Sequence, residues 1–258
     1  MDLGLKGRIV LVTGGSKGIG LAAARAFAAE GARVAVCSRS ADNVDMAAAT
    51  LPGAQGFCAD LTDARAASGM IEAVERDMGP IDVLVNSAGA ARRCAPGDLT
   101  PDVWRDAMNA KFFTTINATD PVIKRMARRG RGVIVTVIGV GGKVAAPVHI
   151  AGGAANSALM LATAGLATAY AAQGVRVVGV SPGMTETGRV AGRLETEARL
   201  AGIPLEEARR RAIGRIPIGR MASPEEIADT ILFLASPRAS YVTGVTVAMD
   251  GALHPVVL

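Results

Sequence analysis

Aromatic residues are nearly missing: Phe, Trp and Tyr make up 3% of the 258 residues. The core must therefore come from Val, Ile, Leu, Ala and Met. Basic segments without interleaved aromatics also make a poor surface for stacking bases, so nucleic acid is not an expected partner. Cysteine is equally scarce. Cys37, Cys58 and Cys94 are unclustered, which excludes both a disulfide framework and metal-ligand spacing and suits a reducing compartment. Met1 to Gly7 hold no apolar core of a secretory signal. No apolar run of about 20 residues free of charge, Gly or Pro stands out as a membrane span. The expectation is a soluble, cytoplasmic chain with no metal and no membrane partner. Acidic residues are in deficit, 23 against 28 Lys and Arg, for a net charge of +5. The cations concentrate at Arg92-Arg93, from Lys124 to Arg131, and at Arg209 to Arg211. Solvated helix faces are the first reading of such runs, and an anionic small-molecule substrate is compatible with them.

What is present is a repeating alternation. Short apolar, β-branched runs occur at Ile9–Val12, Val34–Cys37, Gln55–Cys58, Ile81–Val85, Val133–Ile138, Val175–Val180 and Val245–Ala248. They are continuous rather than alternating, as expected of parallel strands covered on both faces. Helical patterns lie between them. Ile19, Ala22, Ala23, Ala26 and Phe27 form one stripe, closed by Gly31. Thr100-Pro101 and Ser223-Pro224-Glu225-Glu226 carry helix-start signals, the second a capping box. With no repeat, low-complexity tract or linker, the expected architecture is α/β: a doubly wound Rossmann fold of about seven mostly parallel strands in a single domain, 1–258.

The first strand runs into Thr13-Gly14-Gly15-Ser16-Lys17-Gly18-Ile19-Gly20 and then a helix. Glycines there let backbone N–H groups approach a diphosphate at the positive end of the helix dipole. Gly14, Ser16, Lys17, Gly18, Ile19 and Gly20 are the candidate contacts. At the end of the second strand an acid would bind a ribose 2′-hydroxyl, whereas Arg accommodates a 2′-phosphate. The sequence offers Ser38 and Arg39, with Lys17 in the glycine turn. Two cations and no acid favour NADP(H) over NAD(H).

These motifs resemble the short-chain dehydrogenase/reductase family over essentially the whole chain. Further markers are Asp60-Leu61, Asn86-Ser87-Ala88-Gly89, Asn109, Pro182-Gly183 with Thr187, and Asp250-Gly251. The resemblance implies that Asp60 and Leu61 contact the adenine and that Asn86, Ala88 and Gly89 support the cofactor side of the sheet. It also implies that Pro182, Gly183, Thr185 and Thr187 meet the nicotinamide end. A homo-oligomer, tetramer or dimer, is implied as well.

The family's reaction uses a Ser after the fifth strand, then a Tyr and a Lys four residues apart on the next helix. Residues at that spacing share a helix face, so the ammonium can lower the phenol pKa. Laid on that pattern, this chain has Gly139, Gly152 and Asn156, and of the four catalytic positions only Asn109 is kept. Asn156 could still hydrogen-bond a ribose hydroxyl. His149, three residues before Gly152, is the candidate proton donor, with Lys143 and Ser157 weaker ones. Arg92 and Arg93 could bind a substrate carboxylate or phosphate. Gly152-Gly153 reads either as a close approach within the helix or as a loop before a helix beginning near Ala154. The segment 188–220, with Met184, Arg193, Glu195 and Arg199, is expected to cover the substrate. The resulting expectation is an NADP(H)-dependent oxidoreductase of a carbonyl or alcohol with a non-standard active site. The alternatives are a silent or non-redox nucleotide-binding protein and a lyase or isomerase.

Overall fold

A computed structural model describes residues 2–255. The elements run β1 (Ile9–Thr13), α1 (Gly18–Ala29), β2 (Arg33–Ser38), α2 (Ala41–Ala49), β3 (Gln55–Cys58), α3 (Ala64–Met78), β4 (Val83–Asn86) and α4 (Pro101–Ala107). They continue with α5 (Thr114–Arg129), β5 (Gly132–Val137), α6 (Ile150–Tyr170), β6 (Val175–Pro182), α7 (Gly188–Ala201), α8 (Leu205–Ile213), α9 (Pro224–Ala235) and β7 (Thr246–Met249). The strands form one sheet in the order β3-β2-β1-β4-β5-β6-β7, and every pairing is parallel. The strand order reverses between β1 and β4. In such sheets the crevice beyond the carboxyl ends at that point is where ligands bind.

Both faces of the sheet are covered. Phe27 of α1 with Ile227 and Ile231 of α9 pack on Val10, Val12 and Val36. On the other face Ile71 of α3 with Ile123 and Met126 of α5 pack on Leu11, Leu84 and Ile134. This double cover explains why the strands read as uninterrupted apolar runs. A small separate cluster of Leu194, Ala212, Ile216 and Met221 holds α7 and α8 together.

The caps are where the sequence put them. Thr100 Oγ1 accepts from the Val103 amide, and Ser223 and Glu226 form the reciprocal capping box. Most basic runs are ion-paired surface: Lys124 with Asp120, Arg125 and Arg129 with Glu75, Arg209 with Glu186, and Arg210 and Arg211 with Glu207.

The helical stretch Pro147–Gln173 is long and apolar enough to cross a bilayer by length and composition. Here Ala151, Ala155, Leu159 and Ala167 bury its inner side in the protein. Between α4 and α5 the chain makes a π-helical turn, Met108–Phe113. Such turns widen a helix by a residue and re-aim side chains, often at functional sites.

Candidate active site

The glycine turn is built against the loop after β4. Gly14 has a φ of +65°, and a Cβ on it would lie 2.7 Å from the Ala88 nitrogen. No other residue type satisfies both demands. Thr13, fully buried, fastens the same contact. Its hydroxyl accepts from the amides of Ser87 and Ala88 at 3.3 and 3.4 Å. Gly89 is pressed so closely on the π-helical turn that a Cβ would lie 2.6 Å from the Ala110 carbonyl. Ser16 and Lys17 lead into α1, which opens with Gly18, Ile19 and Gly20, and the N-cap Lys17 makes no side-chain cap hydrogen bond. Asn86 is buried, donating to Thr119 Oγ1 at 2.9 Å and leaving its Oδ1 without a partner.

At the ends of β2 and β3, Arg39 and Asp60 face one another. The Thr62 amide and hydroxyl donate to the Asp60 carboxylate and hold its pKa below the ordinary carboxylate value, with a smaller contribution from Arg39. Ser38 is half-buried and Arg39 and Lys17 are exposed. Neither cation has a carboxylate within ion-pair distance among the described residues. The Leu61 carbonyl accepts from Asn117 of α5 at 2.9 Å, which fixes this edge of the groove.

Pro182 and Gly183 close the other side. A Cβ on Gly183 would lie 2.8 Å from the Asp250 Cα, and one on Gly18 would lie 3.3 Å from Thr187 Cγ2. The glycine turn and the start of α7 are therefore neighbours. Thr185 is buried and its hydroxyl has no partner among the described residues. A side-chain-free cradle at one end and an orphan hydroxyl at the other fit a dinucleotide laid across the crevice.

The remaining residues meet beyond β5. α6 begins at Ile150, so Gly152 and Gly153 lie inside the helix, not in a loop ahead of it. The close-approach reading is the correct one of the two. A Cβ on Gly152 would run into the His149 ring, with Nε2 at 2.5 Å and Nδ1 at 2.8 Å. The imidazole occupies the space a side chain at 152 would need. A Cβ on Gly153 would lie 2.8 Å from the Gly141 carbonyl, and one on Gly139 would lie 3.0 Å from Asn156 Nδ2. The glycines of the 139–142 loop and of α6 leave room for Asn156 and His149 where larger residues would collide with them.

Asn156 is almost fully buried, and its Oδ1 accepts from Lys111 Nζ at 2.9 Å. Lys111 was not singled out by the sequence. It sits on the π-helical turn two residues after Asn109, which is itself exposed and whose carbonyl accepts from Thr114 Oγ1 at 2.9 Å. The turn delivers the lysine, rather than the Asn109 side chain, against α6. Burial, and secondarily Arg189, pulls the Lys111 pKa from 10.5 down to about 8. His149 is displaced in the same direction. Burial first, then Lys111, Arg93 and Arg193, lowers it from 6.5 to about 4. It is a neutral imidazole at neutral pH. Ser157 is committed elsewhere, donating to the Gly142 carbonyl at 2.7 Å. Lys143 lies at the end of the short helix Val140–Gly142.

Residues 14–254 match the family described as Enoyl-(Acyl carrier protein) reductase. The chain is 35% identical over 254 residues to 2-(S)-hydroxypropyl-CoM dehydrogenase 3 of Xanthobacter autotrophicus, covering 96% of this chain and 97% of that one. It is 34% identical over 254 residues to D-threitol dehydrogenase of Mycolicibacterium smegmatis, covering 97% and 94%. Among solved structures it is similar to the NADPH-bound short chain oxidoreductase of Pseudomonas aeruginosa, described as containing an atypical catalytic center. The two are 31% identical with a TM-score of 0.88, over 97% of this chain and 98% of that one.

Proposed function

This chain belongs to the short-chain dehydrogenase/reductase family, and from that premise we propose an NADP(H)-dependent oxidoreductase of a small carbonyl or alcohol, with a relocated proton donor. The observation that carries this reading is the Lys111 ammonium at 2.9 Å from Asn156 Oδ1. A cation stands beside α6 at the height where the family's lysine would rise from position 156, but it comes from another element. Gly139, Gly152 and Asn156 then mark a rearranged site rather than an abandoned one. The atypical catalytic center of the Pseudomonas aeruginosa relative supports the view that the family tolerates such rearrangement.

In this reading Gly14, Ser16, Gly18, Ile19 and Gly20 hold the diphosphate, and Lys17, Ser38 and Arg39 hold the 2′-phosphate. Asp60 and Leu61 flank the adenine, Asn86, Ala88, Gly89 and Asn156 line the middle, and Pro182, Gly183, Thr185 and Thr187 receive the nicotinamide end. The bound cofactor supplies the hydride. Lys111, with a pKa near 8, is substantially protonated at neutral pH and gives its proton to the carbonyl oxygen as negative charge develops there. It is left as a neutral amine that solvent reprotonates. His149, neutral, offers one ring N–H to the same oxygen and orients it. α7 and α8 cover the substrate, and the chain works as a soluble, cytoplasmic homo-oligomer, a dimer or tetramer. The exposed apolar Leu161 of α6, 77% accessible, fits such an assembly.

Two measurements test this. Paired calorimetric titrations should show NADP⁺ binding more tightly than NAD⁺, and a panel of ketones, aldehydes and enones should support NADPH oxidation. Tight NADPH binding with no turnover on any of them would leave the non-redox alternative standing. Failure to bind either nucleotide at millimolar concentration would remove both readings.

A further inference from the structure

Arg93 and Arg193 reach the same place from different elements. Arg93 lies on the loop after β4, and that loop is strapped to the turn carrying His149: the Cys94 amide donates to the Val148 carbonyl at 3.1 Å. Arg193 lies on α7, in the second turn of the covering segment. Only one carboxylate, Glu197, is recorded against this pair among the described residues. It touches a terminal nitrogen of Arg193 at 3.4 Å and is half exposed. With Lys111, that makes three cations against one acid around a single imidazole. By contrast, Arg125, Arg129, Arg209 and Arg211 of the other basic runs each have a carboxylate partner. Two buried polar atoms there also lack partners, Arg193 Nε and His149 Nδ1. A buried guanidinium Nε–H without an acceptor is costly unless something supplies one, and the ring nitrogen likewise wants a partner, donor or acceptor according to its tautomer.

We propose that Arg93 and Arg193 form an oxyanion seat beside His149 and Lys111, so that the substrates are small carbonyl compounds or alcohols bearing a carboxylate, phosphate or sulfonate. The seat rests on the reading of this crevice as the active site, and names its substrate class. Its chemistry is that of paired guanidinium groups, which match planar or tetrahedral oxyanions in geometry and charge. It also couples binding to protonation. Burial is the first depressant of His149 and the cations add to it; an arriving anion neutralises the cations' share, so the imidazole regains that part of its proton affinity with substrate present. The charged groups facing it are Lys111 from the π-helical turn, Arg93 from the β4 loop and Arg193 from α7.

The chain has two histidines, so NMR of ¹³Cε1-labelled protein resolves His149 from His254. Its titration should be followed at constant ionic strength with and without sulfate, both in the free protein and in protein saturated with NADP⁺. Sulfate should raise the His149 midpoint by about one unit or more in both and leave His254 in place. In an Arg93→Gln/Arg193→Gln double variant the midpoint should start higher and ignore sulfate, whereas Arg193→Lys should keep a weakened response. An unchanged His149 titration in sulfate, or a double variant that still responds, overturns the proposal. The two sources of anion are separated by levulinate against methyl levulinate and dihydroxyacetone phosphate against dihydroxyacetone. The charged member of at least one pair should bind about tenfold tighter, an advantage lost in the double variant. Equal binding within both pairs also overturns it. Because the NMR response needs no turnover, its failure is distinct from a failure of NADPH oxidation.

Discussion

The groove has two glycine-rich ends, and their glycines serve opposite purposes. At the β1–α1 end, Gly14 and Gly18 keep side chains out of a tight turn against Ala88 and Thr187, which in the proposed reading leaves backbone amides free for an external ligand. At the β5–α6 end, Gly139, Gly152 and Gly153 make room for the protein's own groups, the His149 ring, the Asn156 amide and the Gly141 carbonyl. A diphosphate is held by main chain, which every sequence possesses and which only the turn geometry can present. Proton transfer is done by side chains, which can be supplied from whichever neighbouring element comes close enough. The first end is therefore intact as a motif, while the second is recognisable only as a place in space.

The strongest way to break that contrast is Lys111→Gln. If the lysine is the acid, kcat for carbonyl reduction should drop by about 10² to 10⁴ while calorimetry shows NADP⁺ affinity changed by less than about threefold. Equal damage to both would mean the two ends are not separable. Next in size, Arg39→Ala should weaken NADP⁺ by roughly 10- to 100-fold and leave NAD⁺ nearly unaffected, as read by paired titrations. Third, kcat/KM for reduction should fall about tenfold for each pH unit above about 8, as Lys111 loses its proton. Lys111→Gln should flatten that limb. The smallest effect concerns stability. His149 binds its proton near pH 4 when folded and near 6.5 when unfolded, so between those values the unfolded chain holds more protons and acid favours unfolding. His149→Gln should make the decline in Tm from pH 7 to pH 5 shallower in a calorimetric series.

The fold was legible because its signals are local. The Gln55–Cys58 strand matches to the residue, and other boundaries move by a residue or two. Ile81 is buried, but β4 begins at Val83. Ile138 lies past the end of β5 although its amide still donates to the Val180 carbonyl. The glycine turn between β1 and α1 was legible for the same reason: its spacing along the chain is its geometry. Lys111 was not. In a regular helix, residues two apart point to nearly opposite sides, so nothing near Asn109 marked a neighbour that the π-helical turn would swing onto α6. His149 was legible as a position but not as a charge state, because its protonation is set by burial first and then by Lys111, Arg93 and Arg193, which lie on other elements. Arg193 was noted only as part of a covering segment for want of anything tying it to Arg93.

The contact between His149 and Gly152 carries a consequence for any route back to the family's usual layout. Any side chain at 152, a tyrosine included, would begin in the space the His149 ring now fills, so Gly152→Tyr would require the imidazole to turn away. Restoring that layout therefore means moving the histidine as well as adding the phenol.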